Sequence, residues 1–286
     1  MKERSKSTVL NLTSILVILV IFFGIKPVSA QLRIYVNTDL EGISGVFNFT
    51  QTREKGSPEN LQACEYFMDD LAAVICGLRD GGATEVVVLD GHGNQAVVPH
   101  LMVPGATYIT GKPRSGAGNL SLLDSTFAAM VMIGFHAMKG TKDGVLHHTQ
   151  SSRSESKYWY NGIESGELVQ NALIAGYYNV PLVMVTGDEA TCREARHFFG
   201  DKVVTVATKR GLSREAAELY PFEETRQALY EGAKKCISVI SEIKPYKVDF
   251  PCAVKKQYQV KEKDSSESKI ITKEKEVSTA LEILDI

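Results

Sequence analysis

The 286 residues carry 32 Lys and Arg against 34 Asp and Glu, a formal charge of −2, and 44% of them are apolar. So even a balance speaks against a nucleic-acid binder working through a basic face, and the length suffices for one large core or two small ones. Five cysteines, Cys64, Cys76, Cys192, Cys236 and Cys252, are odd in number and scattered without CxxC or CxH pairing, which describes buried thiols rather than a disulfide framework.

Residues 1–30 read as an address. Lys2, Arg4 and Lys6 form a basic start, 15–25 is an apolar run, and Val28-Ser29-Ala30 is a small-residue cleavage site, together a signal peptide. The run is shorter than the roughly 20 apolar residues of a membrane span. An exported protein, periplasmic or secreted, without stable membrane insertion after cleavage is therefore expected. Taking Lys2, Arg4, Lys6 and Lys26 from the 32 basic residues and Glu3 from the 34 acidic ones leaves 28 and 33, a charge of −5.

Four apolar, β-branched runs follow at 32–36, 85–89, 130–133 and 181–185, each long enough for a strand. The spacing predicts a helix over 59–79, where Leu61, Cys64, Phe67, Met68, Leu71, Val74, Ile75 and Leu78 recur at helical intervals before Asp80-Gly81-Gly82 stops it. A second helix is expected from Gly166 to about Ala175, and a third over 214–243, divided at Pro221. From 244 onward the composition shifts, with 255–275 crowded by Lys, Glu and Ser, and 261–268 reading as a loop. Runs apolar on both faces, linked by helical crossovers, imply an α/β fold: a mainly parallel sheet with helices on both faces, plus a small C-terminal α+β unit. The expected organisation is a metal-binding α/β catalytic domain over 31–200 and a helical and small C-terminal unit over 201–286 that completes the subunit.

Ligands of such sheets sit beyond the carboxyl ends of the strands, and the polar residues of note all fall there. The first strand delivers Asp39 and Glu41, whose period-two spacing projects both to one side. The second runs into Asp90-Gly91-His92 and the third into Gly134-Phe135-His136. Each has a structural explanation taken singly: a turn-forming Asp, an Asp-Gly turn, a hydrogen-bonded histidine. Asp90 is either such a turn residue or the group that orients His92. Yet His92 and His136, two of only six histidines, share the strand-end position. Mixed carboxylate and imidazole donors suit zinc, then manganese or iron, whereas calcium wants oxygen alone. Glu167 opens an apolar helix, where the dipole alone would favour an acid. His147-His148 are adjacent and cannot both point into one site from an extended backbone, so one is expected to function and the other to be exposed. His100 and His197 stand alone and read as structural. Beside the motifs the only basic pair noted is Lys112 and Arg114.

Asp39-Leu40-Glu41-Gly42-Ile43-Ser44-Gly45, Asp90-Gly91-His92, Gly134-Phe135-His136, Gly144-Val145-Leu146-His147-His148, Gly166-Glu167-Leu168 and Gly176-Tyr177-Tyr178-Asn179-Val180-Pro181 resemble, in order, the motifs of the D-aminopeptidase (DppA-type) family of binuclear zinc metallopeptidases. The resemblance runs from Leu32 to about Asp188. It implies that Asp39 bridges two zinc ions, that Glu41, His92, His136 and Glu167 are the further ligands, and that His148 is the catalytic histidine. It also implies a homo-oligomer, a decamer in the family, acting on short D-amino-acid-containing peptides. After Val248 the chain departs from the pattern, with the Lys/Glu/Ser-rich run standing where the family has a longer strand-rich segment.

Two zinc ions per subunit, roughly 3.5 to 4 Å apart, would share a hydroxide that attacks the peptide carbonyl. The function so implied is release of N-terminal D-amino acids such as D-Ala. Two alternatives stand beside it: another binuclear metallohydrolase, acting on amides or phosphoesters through the same ligands, and a non-catalytic exported binding protein, which would need neither Glu167 nor His148.

Overall fold

In strand β1 (Arg33–Thr38) the side chains alternate between two cores, Ile34 and Val36 entering one and Tyr35 the other. Burial on both faces is why the strand reads as a continuous apolar run. The computed structural model describes residues 31–286 apart from 94–95, 114–115 and 262–267. The expected leader at 1–30, Arg114 and most of the expected loop at 261–268 lie outside the described residues.

The further strands in chain order are β2 (Glu85–Leu89), β3 (Thr107–Ile109), β4 (Ala129–Ile133), β5 (Lys157–Tyr160), β6 (Ile163–Ser165), β7 (Leu182–Asp188), β8 (Val204–Ser213), β9 (Ala216–Leu219), β10 (Cys252–Lys261) and β11 (Ser268–Val277). Six of them join β1 in one sheet, in the order β3-β2-β1-β4-β7-β8-β9, parallel throughout except for the β8–β9 hairpin. Chain order runs outward in both directions from the β1–β4 pair. That pair is the switch point at which an open α/β sheet presents a crevice. Asn37 pairs with Leu89 on one side and Met132 on the other, so β1, β2 and β4 end level at this crevice.

The described residues form five α-helices: α1 (Phe49–Arg53), α2 (Pro58–Asp80), α3 (Glu167–Tyr177), α4 (Glu189–Phe199) and α5 (Phe222–Ser238). Helix α2 starts where Ser57 Oγ accepts the Asn60 N–H and Pro58 takes the first turn, and it stops at Gly81 as expected. Its Phe67, Leu71, Val74 and Leu78 pack with Leu229, Ala233 and Cys236 of α5 in one core. On the other face Leu168, Ala172 and Leu173 of α3 share a core with Tyr158, Tyr160, Val254 and Val277. Each fully buried side chain of this size contributes about 1.5–3 kcal/mol. The expected architecture, a mainly parallel sheet between helical layers, is thus present.

One expectation needs correction. The stretch 214–221 is not helical: Ala216–Leu219 is β9, and α5 begins only after Pro221. Pairing with β8 and the cross-strand ion pair Arg210–Glu218 override the helix preference of its Ala and Glu residues. The expected smaller unit is present, and residues 157–165 join it. The second sheet, ordered β11-β10-β5-β6 and antiparallel throughout, takes two strands from 157–165 and two from the C-terminus. Residues 32–286 form one compact unit. All five cysteines are free, and all but Cys76 are buried. Among the described residues no helix is long and apolar enough to cross a membrane.

Candidate metal centre

The three strand ends are drawn together by backbone contacts that only small residues allow. Asp39 N–H donates to Ile133 O and Gly42 N–H to Gly134 O, both at 2.7 Å, tying the turn after β1 to the end of β4. A Cβ on Gly42 would lie 1.9 Å from Phe135 O, and one on Gly91 would lie 1.9 Å from Thr38 O. Both glycines are therefore needed for close approach.

The approach makes Asp39, Glu41, His92, His136 and Glu167 converge. Asp39 Oδ1 lies 2.8 Å from His92 Nδ1, and its Oδ2 lies 3.3 Å from His136 Nε2, so the two oxygens face different imidazoles. Glu41 Oε2 is 3.1 Å from His92 Nδ1, and Glu167 Oε1 is 3.5 Å from His136 Nε2. His148 stands beside them, stacked on His136 with ring centroids 3.9 Å apart and Nε2 3.9 Å from Glu167 Oε1. A cavity of about 430 Å³ opens above and is lined by Asp39, Glu41, His92, His148 and Glu167, with His136 buried behind them.

The far nitrogen of each ring fixes the near one. His92 Nε2 faces Thr52 O at 2.8 Å, His136 Nδ1 faces Ala137 O at 3.1 Å, and His148 Nδ1 faces Leu146 O at 2.8 Å. A carbonyl only accepts, so these nitrogens donate. In the neutral ring the lone pair is then left on His92 Nδ1, His136 Nε2 and His148 Nε2. Such support from a carbonyl is what ligating histidines require.

Electrostatics point to the same centre. Burial opposes a charge on His92 and His136, but Glu41, Asp39 and Glu167 outweigh it and hold both imidazoles well above their ordinary value. Burial likewise opposes the anions of Asp39 and Glu167. The neighbouring histidines win there too and hold both carboxyls below the usual range. The site thus favours positive charge among its acids. His136 Nε2 and Glu41 Oε2 are buried without a hydrogen bond. They lie close to ionic partners but point at a shared centre. Donor atoms of Asp39, Glu41 and His136 lie within 4.8 Å of one another, as do those of His136, His148 and Glu167. Carboxylate and imidazole donors gathered so tightly fit a divalent ion such as zinc.

Both members of the histidine pair are buried, His147 at 9% exposure and His148 at 8%, so the expectation of one exposed ring is wrong. They point differently because Leu146, with φ of 53°, turns the chain just before them. Only His148 reaches the cavity. His147 Nδ1 accepts the Gly140 N–H, and burial with Arg214 and Lys139 nearby pushes its pKa down to about 4. Burial and His136 also lower the pKa of His148.

Several contributors escape the motif reading. Asp90 does not turn its carboxylate to His92 but accepts from Ala96 N, Val97 N and Thr110 Oγ1, fastening the returning loop. Lys209 is fully buried beneath the β1 turn, donating to Glu41 O and Ile43 O, both at 2.7 Å. Burial lowers its pKa to about 8, against the pull of Asp188, Asp70 and Glu41. Arg53 and Arg153 line the cavity, so Lys112 and Arg114 are not the only basic residues near the motifs. A charge interrupting a strand pattern was the one available signal for Lys209. Arg53 sits in a five-residue helix with no periodic signal at all.

Strand ends of an open parallel sheet that gather acids and imidazoles around a shared centre, beneath an open cavity, define a metallohydrolase type of site. A family model for D-aminopeptidases matches residues 32–278, and the chain belongs to that family of peptide hydrolases. It is 32% identical over 219 residues to the D-aminopeptidase of Bacillus subtilis strain 168, covering 75% of this chain and 77% of that protein. The fold is similar to the solved Zn-dependent D-aminopeptidase DppA from Bacillus subtilis, described as a self-compartmentalizing protease. The TM-score is 0.78 at 24% identity, over 88% of this chain and 94% of that one.

Proposed function

We propose that the chain is an exported, zinc-dependent aminopeptidase that releases N-terminal D-amino acids such as D-Ala from short peptides. The observation that carries the reading is Asp39, whose two oxygens address His92 with Glu41 on one side and His136 with Glu167 on the other. Asp39 would be shared by two zinc ions, with the other four residues as their separate ligands. When bound, zinc supplies Lewis acidity toward the peptide carbonyl and lowers the pKa of water. His148 stays neutral through burial and offers the Nε2 lone pair, so it can accept a proton at that atom and return it to the leaving amine.

Preference for the D-configuration follows the family. Export rests on the composition of residues 1–30. A homo-oligomer that encloses its sites is supported by the likeness to a self-compartmentalizing protease.

The test is a panel of D- and L-aminoacyl peptides and amides, assayed with zinc, with chelator and with His148→Ala. Hydrolysis of the D-compounds alone, abolished by chelator and by His148→Ala at unchanged metal content, is expected. Absence of D-Ala release from D-Ala-D-Ala by the zinc-loaded protein would sink the substrate assignment.

A further inference from the structure

The cavity over the centre has two poles. Its floor carries Asp39, Glu41 and Glu167, and its rim carries Arg53 and Arg153, which the proposed chemistry leaves unused. Arg53 is the last residue of α1. Its Nε donates to Ser152 Oγ at 2.9 Å, its Nη2 donates to Ser152 O at 2.8 Å, and its guanidinium lies over the Phe49 ring. One edge and one face of the fork are thereby held, while Nη1 donates to none of the described residues.

Three guanidinium groups gather here. Arg214 also lies near the Phe49 ring, 5.1 Å from its centroid, but is ion-paired at 2.8 Å with Glu155, which it shares with Lys139. Arg53 and Arg153 have no carboxylate within ion-pair distance among the described residues, and Arg214 and Arg153 lower the pKa of Arg53 after burial does. Glu215 and Glu41 act on Arg53 only from beyond ion-pair distance, so Arg53 and Arg153 give the rim a positive charge. A planar fork held along one edge is suited to bidentate capture of a carboxylate at its free end. The cavity volume, about 430 Å³, falls within the roughly 300–1,000 Å³ of small-ligand pockets.

We propose that Arg53, assisted by Arg153, binds the C-terminal carboxylate of a short peptide whose amino end lies at the floor of the cavity, and so selects free-acid peptides over their amides. The proposal rests on the reading of the floor as an aminopeptidase site, which supplies the amino end.

The experiment compares D-Ala-D-Ala with D-Ala-D-Ala amide on the zinc-loaded protein, by steady-state kinetics and by binding calorimetry, for wild type, Arg53→Gln, Arg53→Lys and Arg153→Gln. Loss of one charge-assisted contact predicts that Arg53→Gln raises KM for the free acid about 10- to 100-fold, with kcat within about 3-fold and the amide unaffected. Arg53→Lys should recover part of the loss, and Arg153→Gln should act in the same direction but less. Equal losses on acid and amide, or a wild type without preference for the acid, overturn the proposal while leaving the aminopeptidase reading intact. If wild type hydrolyses neither compound, calorimetry decides: an acid preference abolished in Arg53→Gln upholds the carboxylate site as that reading falls, and no preference overturns both. Thermal unfolding confirms that each variant is folded, and Arg53→Lys carries the comparison should Arg53→Gln not fold.

Discussion

Two buried polar clusters sit back to back on the turn after β1, and they are built on opposite rules. Below the turn, Lys209 spends its ammonium on the carbonyls of Glu41 and Ile43, and Asp188 accepts from Val145 N and from Thr191 N and Oγ1. Donors meet acceptors there, and nothing further is required. Above the turn, Asp39, Glu41, His92, His136 and Glu167 crowd carboxylates and imidazoles around one centre and leave His136 Nε2 and Glu41 Oε2 without a hydrogen bond. A satisfied cluster is scaffold, and a cluster that keeps buried polar atoms without a hydrogen bond is suited to a partner that is not protein.

Asp39→Asn should break this contrast most. The amide keeps the size of the side chain but removes the charge that both halves of the centre share. Activity on D-aminoacyl substrates is expected to fall on the order of 10³-fold or more. Metal content, measured by elemental analysis, should fall at both positions, whereas Glu41→Gln should mainly weaken one. Unfolding of the Asn variant in chelator should be no easier than that of wild type, because a scaffold contact is not what is lost. A large destabilisation in chelator would show Asp39 to be scaffold.

Lys209→Met probes the lower cluster. The side chain is of similar size but leaves two buried carbonyls unpaired, so denaturant unfolding in chelator should show a loss of about 2–4 kcal/mol. Because those carbonyls belong to the ligand turn, zinc affinity should also fall about 10- to 100-fold, as for other groups that orient ligands. Stability lost with affinity intact would separate the two clusters altogether.

The upper cluster was largely legible because Asp39, Glu41, His92 and His136 come shortly after apolar runs, where the sheet must present its ends, and Glu167 opens an apolar helix. The lower cluster was not. Lys209 interrupts β8, and a lysine in a strand pattern reads as the end of the strand until its carbonyl partners are seen. Thr52 supports His92 through a backbone carbonyl, which no side-chain pattern encodes. The hairpin 157–165 is too short for periodicity to register, and residues 216–219 carry helix formers that pairing with β8 overrules.

Asp70, beside the lower cluster, gives a graded test. Its Oδ2 accepts Ser44 N–H at 2.9 Å, Oδ1 has no hydrogen bond, and burial raises its pKa from 3.8 to about 6. A carboxyl raised on folding contributes stability that is fully present below about pH 4 and lost as pH rises through about 6. The shift corresponds to roughly 3 kcal/mol. Asp70→Asn cannot ionise, so its stability relative to wild type should improve by roughly that amount between pH 4 and 7.5, in denaturant titrations with chelator present. A gap independent of pH would mean that Asp70 stays charged and that Arg226, 3.8 Å away, is its true partner.

The smallest effect is expected at His147, although it adjoins the residue assigned to the chemistry. Its ring is buried, neutral near pH 7, and committed to the Gly140 N–H through Nδ1. Asparagine places an acceptor oxygen near the position of that nitrogen and carries no charge at any pH. His147→Asn should therefore keep the backbone contact, hold kcat within about 3-fold, a change under roughly 1 kcal/mol, and leave the pH profile unshifted. His148→Asn removes the Nε2 that stands by Glu167, and with it the only neutral imidazole open to the cavity among the described residues. Equal loss in the two variants would mean that the turn at Leu146, not the ring of His148, is what the reaction needs.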